Sequence, residues 1–86
     1  MKKELAKLRA RIDALDERLL RALNERARLA HAVGKLKQGN QVYRPEREAQ
    51  VLRAILEKNR GPLGKEALAR VYGEIISACR ALEQPL

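Results

Sequence analysis

Arg26 stands where the chain otherwise places aliphatic side chains. Leu5, Leu8, Ile12, Leu15, Leu19, Ala22, Leu29, Val33 and Leu36 recur at alternating spacings of three and four, and Arg26 fills the place between Ala22 and Leu29. A guanidinium on a buried seam is costly unless it meets a carboxylate, from the protein or from a ligand. A polar residue at such a position can equally set the register of a helix pair, or reach past its neighbours to water. The seam alone does not separate these readings. On a single helix Lys37 lies within about 20° of Arg26 and roughly 16 Å along the axis, so both cations can lean toward one point between them. Arg9 lies ~25 Å from Arg26 on that helix, too far for both to grip one small molecule. It joins such a site only from a second copy of the chain.

Other chemistry-bearing residues are sparser. In Arg44-Pro45-Glu46-Arg47-Glu48, Arg44 and Glu48 share a helix face, and Arg47 and Val51 share the neighbouring one. Taken alone, that pattern is surface salt-bridge chemistry. Cys79 and Glu83 sit one turn apart on an otherwise apolar face, where a lone Cys commonly acts as a small buried hydrophobe. There is no Ser/His/Asp set, no Gly-rich phosphate loop and no CxxC. His31, between Ala30 and Ala32, has no neighbouring metal ligand. No cofactor or metal is expected. A catalyst built from these residues would work by binding and electrostatics alone.

The elements that must position them follow from periodicity. The seam predicts one helix over residues 2–37, about 54 Å long, whereas a compact domain of this size has a radius of gyration of only ~12 Å. Such a helix projects beyond its own domain with an apolar stripe along its length, and the economical cover is a second copy in an intertwined dimer. Gly34 inside it marks either close packing or fraying near the end. Gln38-Gly39-Asn40-Gln41 stops the helix. Pro45 suits the first turn of a second helix, with Val51, Leu52, Ile55 and Leu56 as its buried face, ending near Lys58-Asn59. Arg60-Gly61-Pro62-Leu63-Gly64 breaks the chain, and a third helix follows from about Lys65. Its apolar stripe is Leu68, Val71, Tyr72, Ile75, Ile76, Cys79 and Leu82.

Composition agrees with an all-α fold of three helices. The 86 residues (9.8 kDa) include 14 Leu and 13 Ala, no Phe or Trp, two Tyr and 35% charged residues, and these are helix-forming types. A β-sandwich or barrel is excluded, as is a disulfide scaffold, because Cys79 has no partner in the chain. No apolar run reaches the length of a membrane span, and Met-Lys-Lys-Glu leads into a charged helix and not a signal segment, so a soluble cytoplasmic protein is expected. Residues 1–86 are expected to be a single domain, either a complete protein or one excised from a longer chain. A net charge of +8 and a pI near 10.3 suit an anionic partner. A basic helical nucleic-acid-binding or scaffold module is the alternative reading. The scarcity of aromatics argues against stacking on single strands, and the cations are interleaved with Glu along all three helices. Neither nucleic acid nor a membrane is the expected partner.

Leu8-Arg9-Ala10-Arg11-Ile12-Asp13-Ala14-Leu15-Asp16-Glu17-Arg18-Leu19-Leu20, Glu25-Arg26, Val33-Gly34-Lys35-Leu36-Lys37, Pro45-Glu46-Arg47-Glu48 and Glu74-Ile75-Ile76-Ser77-Ala78-Cys79-Arg80-Ala81-Leu82-Glu83 together resemble the all-helical class of chorismate mutases. The resemblance spans nearly the whole chain. It implies an interlocked dimer of three-helix chains that rearranges chorismate to prephenate, on the path to Phe and Tyr. It also implies that Arg26, with Arg9 from the other chain, binds the substrate carboxylates. Lys37 would donate to the ether oxygen, assisted by Glu83. Glu48 would accept the ring hydroxyl, and Arg47 would support the charge network. Three positions depart from the commonest family pattern. Arg44 stands where Asp is frequent, leaving its backbone as the contribution there. Cys79 stands for a frequent Ser, which weakens hydrogen bonding to a substrate carboxylate. Glu83 stands for a frequent Gln. Through Glu57-Lys58-Asn59-Arg60-Gly61-Pro62 the chain is also similar to mutase domains fused ahead of DAHP synthase, which makes such a synthase an expected fused or associated partner.

Overall fold

A computed structural model describes residues 1–37 and 45–83, with Lys37 described in its backbone alone. Three helices make up the fold: α1 (Lys2–Lys37), α2 (Pro45–Lys58) and α3 (Lys65–Glu83). Their limits agree with those expected from periodicity. The expected stop at Gln38–Gln41 and the position of Arg44 lie outside the described residues.

Local chemistry accounts for the ends. Pro45 opens α2 where an N–H has no helical partner, and Glu46 and Glu48 favour the positive end of its dipole. At the other end Arg60 Nη1 donates to the Glu57 carbonyl at 2.7 Å, and Asn59 Nδ2 donates to the Leu63 carbonyl at 2.9 Å. The Gly61 N–H donates to Asn59 Oδ1 at 3.1 Å. These bonds cap α2 and turn the chain into α3, whose first turn is closed by the Leu68 N–H on the Gly64 carbonyl.

Helix α3 is the hub. It packs against α1 and against α2, while α1 and α2 do not meet among the described residues. Arg26 lies by Tyr72, and Gly34 lies by Glu83, so α1 and α3 run in the same direction. Glu48, early in α2, pairs with Arg80, late in α3, so those two helices run antiparallel. The C-terminal ends of α1 and α3 and the N-terminal end of α2 therefore gather at one end of the molecule.

The buried interior is small: Ala30, Gly34, Ile76 and Cys79 among the described residues. The face of α2 expected to be buried is only half-buried at Val51, Leu52, Ile55 and Leu56, because one helix cannot enclose another. On α3, Val71 and Leu82 are exposed although they belong to the apolar stripe. Residues 1–22 of α1 are exposed throughout, with Leu15 at 57%. The radius of gyration is 16.4 Å and the long dimension 56 Å, the shape required by a helix that outruns its own domain. Among the described residues no helix is long and apolar enough to cross a membrane.

Candidate active site

Arg26 is half-buried on the face of α1 that meets α3. Its guanidinium carbon lies 5.7 Å from the centre of the Tyr72 ring, within cation–π range. Cys79 and Tyr72 are the neighbours that favour its charged form. Burial by itself pulls the Arg26 pKa down, but the interactions with Cys79 and Tyr72 outweigh it and hold the pKa above the usual arginine value. Tyr72, Ile76, Cys79 and Glu83 follow one another at spacings of four, three and four, which places them on one face of α3. Among the described residues no carboxylate reaches Arg26. Of the two readings left open by the seam, a partner acid from the same chain is thus absent from the described structure. The guanidinium is a cation placed over the Tyr72 ring.

Gly34 governs how closely the ends of α1 and α3 approach. A methyl group added there would meet the Glu83 Cα at 2.7 Å and its carbonyl carbon at 2.8 Å, closer than packed atoms tolerate. Close packing is therefore the reason for this glycine, and fraying is not. One turn earlier His31 Nδ1 donates to the Leu82 carbonyl at 3.4 Å, a long bond at the negative end of α3. Glu83 is half-buried at this junction, three positions along α3 from Arg80. The backbone of Lys37 is one turn beyond Gly34 on α1, and its side chain lies outside the described residues.

On α2, Glu48 is half-buried and accepts a hydrogen bond from Arg80 Nη1 at 3.1 Å. Arg47 is exposed and donates to Gln50 Oε1 at 3.0 Å along its own helix. Arg9 is exposed on the projecting half of α1, in a different part of the molecule from Arg26. The fold thus brings Arg26, Cys79, Glu83, Glu48 and the end of α1 to one region, and leaves Arg9 out of it. Sequence reasoning passed over two members of this region, Tyr72 and Arg80. Tyr72 was counted only as part of an apolar stripe, and Arg80 is the single cation in the last three turns of α3. A half-buried cation that no acid reaches among the described residues, on one side of α3, and an acid with an open oxygen, on the other, suit a small ligand that carries both carboxylate and hydroxyl groups.

The sequence profile of the family described as chorismate mutase type II matches residues 8–84. The chain belongs to the type II chorismate mutase family. It is 55% identical over 75 residues to a bifunctional chorismate mutase/prephenate dehydratase of Neisseria gonorrhoeae, covering 87% of this chain and 21% of that protein. It is 51% identical over 90 residues to the protein of the same description from Stutzerimonas stutzeri, covering 96% of this chain and 25% of that one. The chain thus spans about a quarter or less of the length of these curated relatives. Among solved structures, it superposes on chorismate mutase form II of Thermus thermophilus with a TM-score of 0.89 at 33% identity, covering 93% of each chain. A chorismate mutase of Helicobacter pylori in complex with prephenate superposes with a TM-score of 0.84 at 33% identity, covering 92% of this chain and 88% of that one.

These relatives correct one expectation. The DAHP synthase suggested by Glu57–Pro62 does not accompany them; their second activity is prephenate dehydratase. The structure gives the physical reason. Asn59, Arg60 and Gly61 in that segment are engaged in capping α2 and turning into α3, so they report on a local turn and not on a neighbouring domain.

Proposed function

We propose that this chain is a mutase domain that rearranges chorismate to prephenate, an intramolecular isomerisation, working as one half of an intertwined homodimer. The observation that carries the reading is Arg26: a half-buried cation held over the Tyr72 ring, which no carboxylate reaches among the described residues, on the helix α1 that ends in Lys37. The structure of the Helicobacter pylori relative in complex with prephenate supports the same ligand class.

The reaction breaks one C–O bond and forms one C–C bond within a single molecule, so it requires neither nucleophile nor cofactor. It requires a compact, chair-like substrate and compensation for negative charge that grows on the ether oxygen. Arg26 holds one substrate carboxylate, and Arg9 of the second chain holds the other. Lys37 donates to the ether oxygen, with Glu83 beside it as a second donor when protonated. Glu48 accepts the ring hydroxyl. Arg47, now turned to Gln50, adds positive charge at the entrance, and the backbone at Arg44 lines the wall. The Cys79 thiol acts chiefly by fixing Arg26. The dimer supplies what a single chain lacks: cover for the exposed seam from Leu5 to Ala22, and a cation that its own α1 cannot bring to Arg26. The setting is the cytoplasm, on the route to Phe and Tyr. Prephenate is the compound that the relatives' dehydratase activity is named for.

Initial rates of chorismate consumption by the purified chain test the activity. Mixing tests the shared site. Arg9→Ala and Arg26→Ala chains should each be nearly inactive, and dimers formed from the two together should regain up to one intact site. Mixed dimers as inactive as either parent would sink the shared-site reading. Retention on heparin at moderate salt with no turnover would favour the nucleic-acid-binding or scaffold alternative.

A further inference from the structure

Cys79 and Arg80 are consecutive on α3 and reach in different directions, as residues about 100° apart on a helix must. Cys79 is buried, on the same face of α3 as Tyr72, over whose ring Arg26 of α1 lies. Arg80 crosses to α2 and bonds to Glu48. The contact is through a single oxygen: Nη1 of Arg80 lies 3.1 Å from Glu48 Oε1, with the two side chains 31% and 25% exposed. Among the described residues nothing else bonds to Glu48, so its second oxygen remains available. The nearest alternative cation in sequence, Arg47, is turned to Gln50 instead.

We propose that Arg80 is a positioning residue for substrate binding, acting through Glu48. This rests on the reading above, in which Glu48 accepts the ring hydroxyl. With Oε1 pinned by Arg80, the carboxylate is oriented so that Oε2 accepts from the hydroxyl. The guanidinium also offsets the repulsion between Glu48 and a substrate that carries two carboxylates of its own. Neither the hydroxyl nor those carboxylates change charge as the ether bond breaks. The contribution of Arg80 is therefore equal in the bound substrate and in the transition state, and its loss appears in KM with kcat little changed.

The test is steady-state kinetics on wild type, Arg80→Leu, Arg80→Lys, Glu48→Gln and the double variant Arg80→Leu/Glu48→Gln, with circular dichroism and thermal melts alongside. Arg80→Leu should raise KM about tenfold, the loss of one charged hydrogen bond discounted for its half-exposed setting, with kcat within about twofold. Arg80→Lys keeps the charge and should recover most of that loss. In the Glu48→Gln background, Arg80→Leu should have no further effect on KM, whereas a purely structural contribution would persist there. If Arg80→Leu does not fold, Arg80→Gln takes its place in the same comparison. A KM unchanged in Arg80→Leu while Glu48→Gln raises it overturns the proposal, as does a fall confined to kcat. If Glu48→Gln itself leaves KM and kcat unaltered, the role of Glu48 fails first, and the proposal with it.

Discussion

Arg26 and Lys37 are both cations of α1, yet they face different tasks. In the proposed reaction the carboxylate assigned to Arg26 is charged throughout, so Arg26→Ala should raise KM as well as lower turnover. The charge that the proposal sets opposite Lys37 exists mainly in the transition state. Lys37→Ala should lower kcat by ~10²–10³ with a much smaller change in KM, as measured for single donors to a developing oxyanion. A change in KM alone would remove Lys37 from the ether oxygen. The braced state of Arg26 also has a pH signature. Its folded pKa is raised, so the stability it contributes is complete below the ordinary arginine value and is lost only as pH rises beyond that. Tyr72→Leu should therefore cost about 0.5–1 kcal/mol from the cation–π contact, on top of lost packing. The shift in melting temperature should be the same at about pH 5 and about pH 7.5, since the arginine charge does not change between them. A shift that differs across that interval would show that another charge governs the contact. The cation on the seam was legible in the sequence. Its partners were not, because periodicity tells which face a residue occupies but not which element lies opposite.

At the scale of elements, the crossing of α1 and α3 depends on one hydrogen atom. Alanine is the better helix former, and Gly34→Ala would on that ground stabilise α1 by about 1 kcal/mol. Here the added methyl meets backbone, the Cα and carbonyl carbon of Glu83, which cannot rotate away. Overpacking of that kind costs about 1–3 kcal/mol, so the variant should melt lower than wild type and should lose activity as Glu83 is displaced. A higher melting temperature would mean that the helix ends separate freely. All three helices could be read from spacing and punctuation, since Pro45, the segment Arg60–Gly64 and the seam are local signals. Arrangement was less accessible. That α3 serves both neighbours follows from its two faces, one bearing Tyr72 and Cys79 and the other Arg80. Only the direction of each packing partner reveals that these residues belong to one region.

For the whole molecule, the decisive quantity is how little a single chain buries. With four buried residues among those described and the seam of α1 open from Leu5 to Ala22, folding of an isolated chain has little to oppose conformational entropy. The melting temperature should therefore rise with protein concentration, as it must when association and folding are coupled. Light scattering should give twice the chain mass under the same conditions. A melting temperature indifferent to dilution, or a folded and active monomer, would refute the dimer. That α1 outruns its own domain was visible in the length of the seam, because a 36-residue helix cannot be covered by helices of 14 and 19 residues.

The unbroken course of α1 also restricts how the chain can vary in length. One residue inserted between Arg9 and Arg26 turns everything on one side by about 100° relative to the other, taking either the seam or Arg26 out of register. Seven inserted residues nearly restore the angle, to within about 20°, but advance Arg9 by roughly 10 Å along the axis. Substitutions on the outer face meet no such geometric penalty. Insertions and deletions have no neutral place between Arg9 and Arg26, and length variation is directed to the connections between helices.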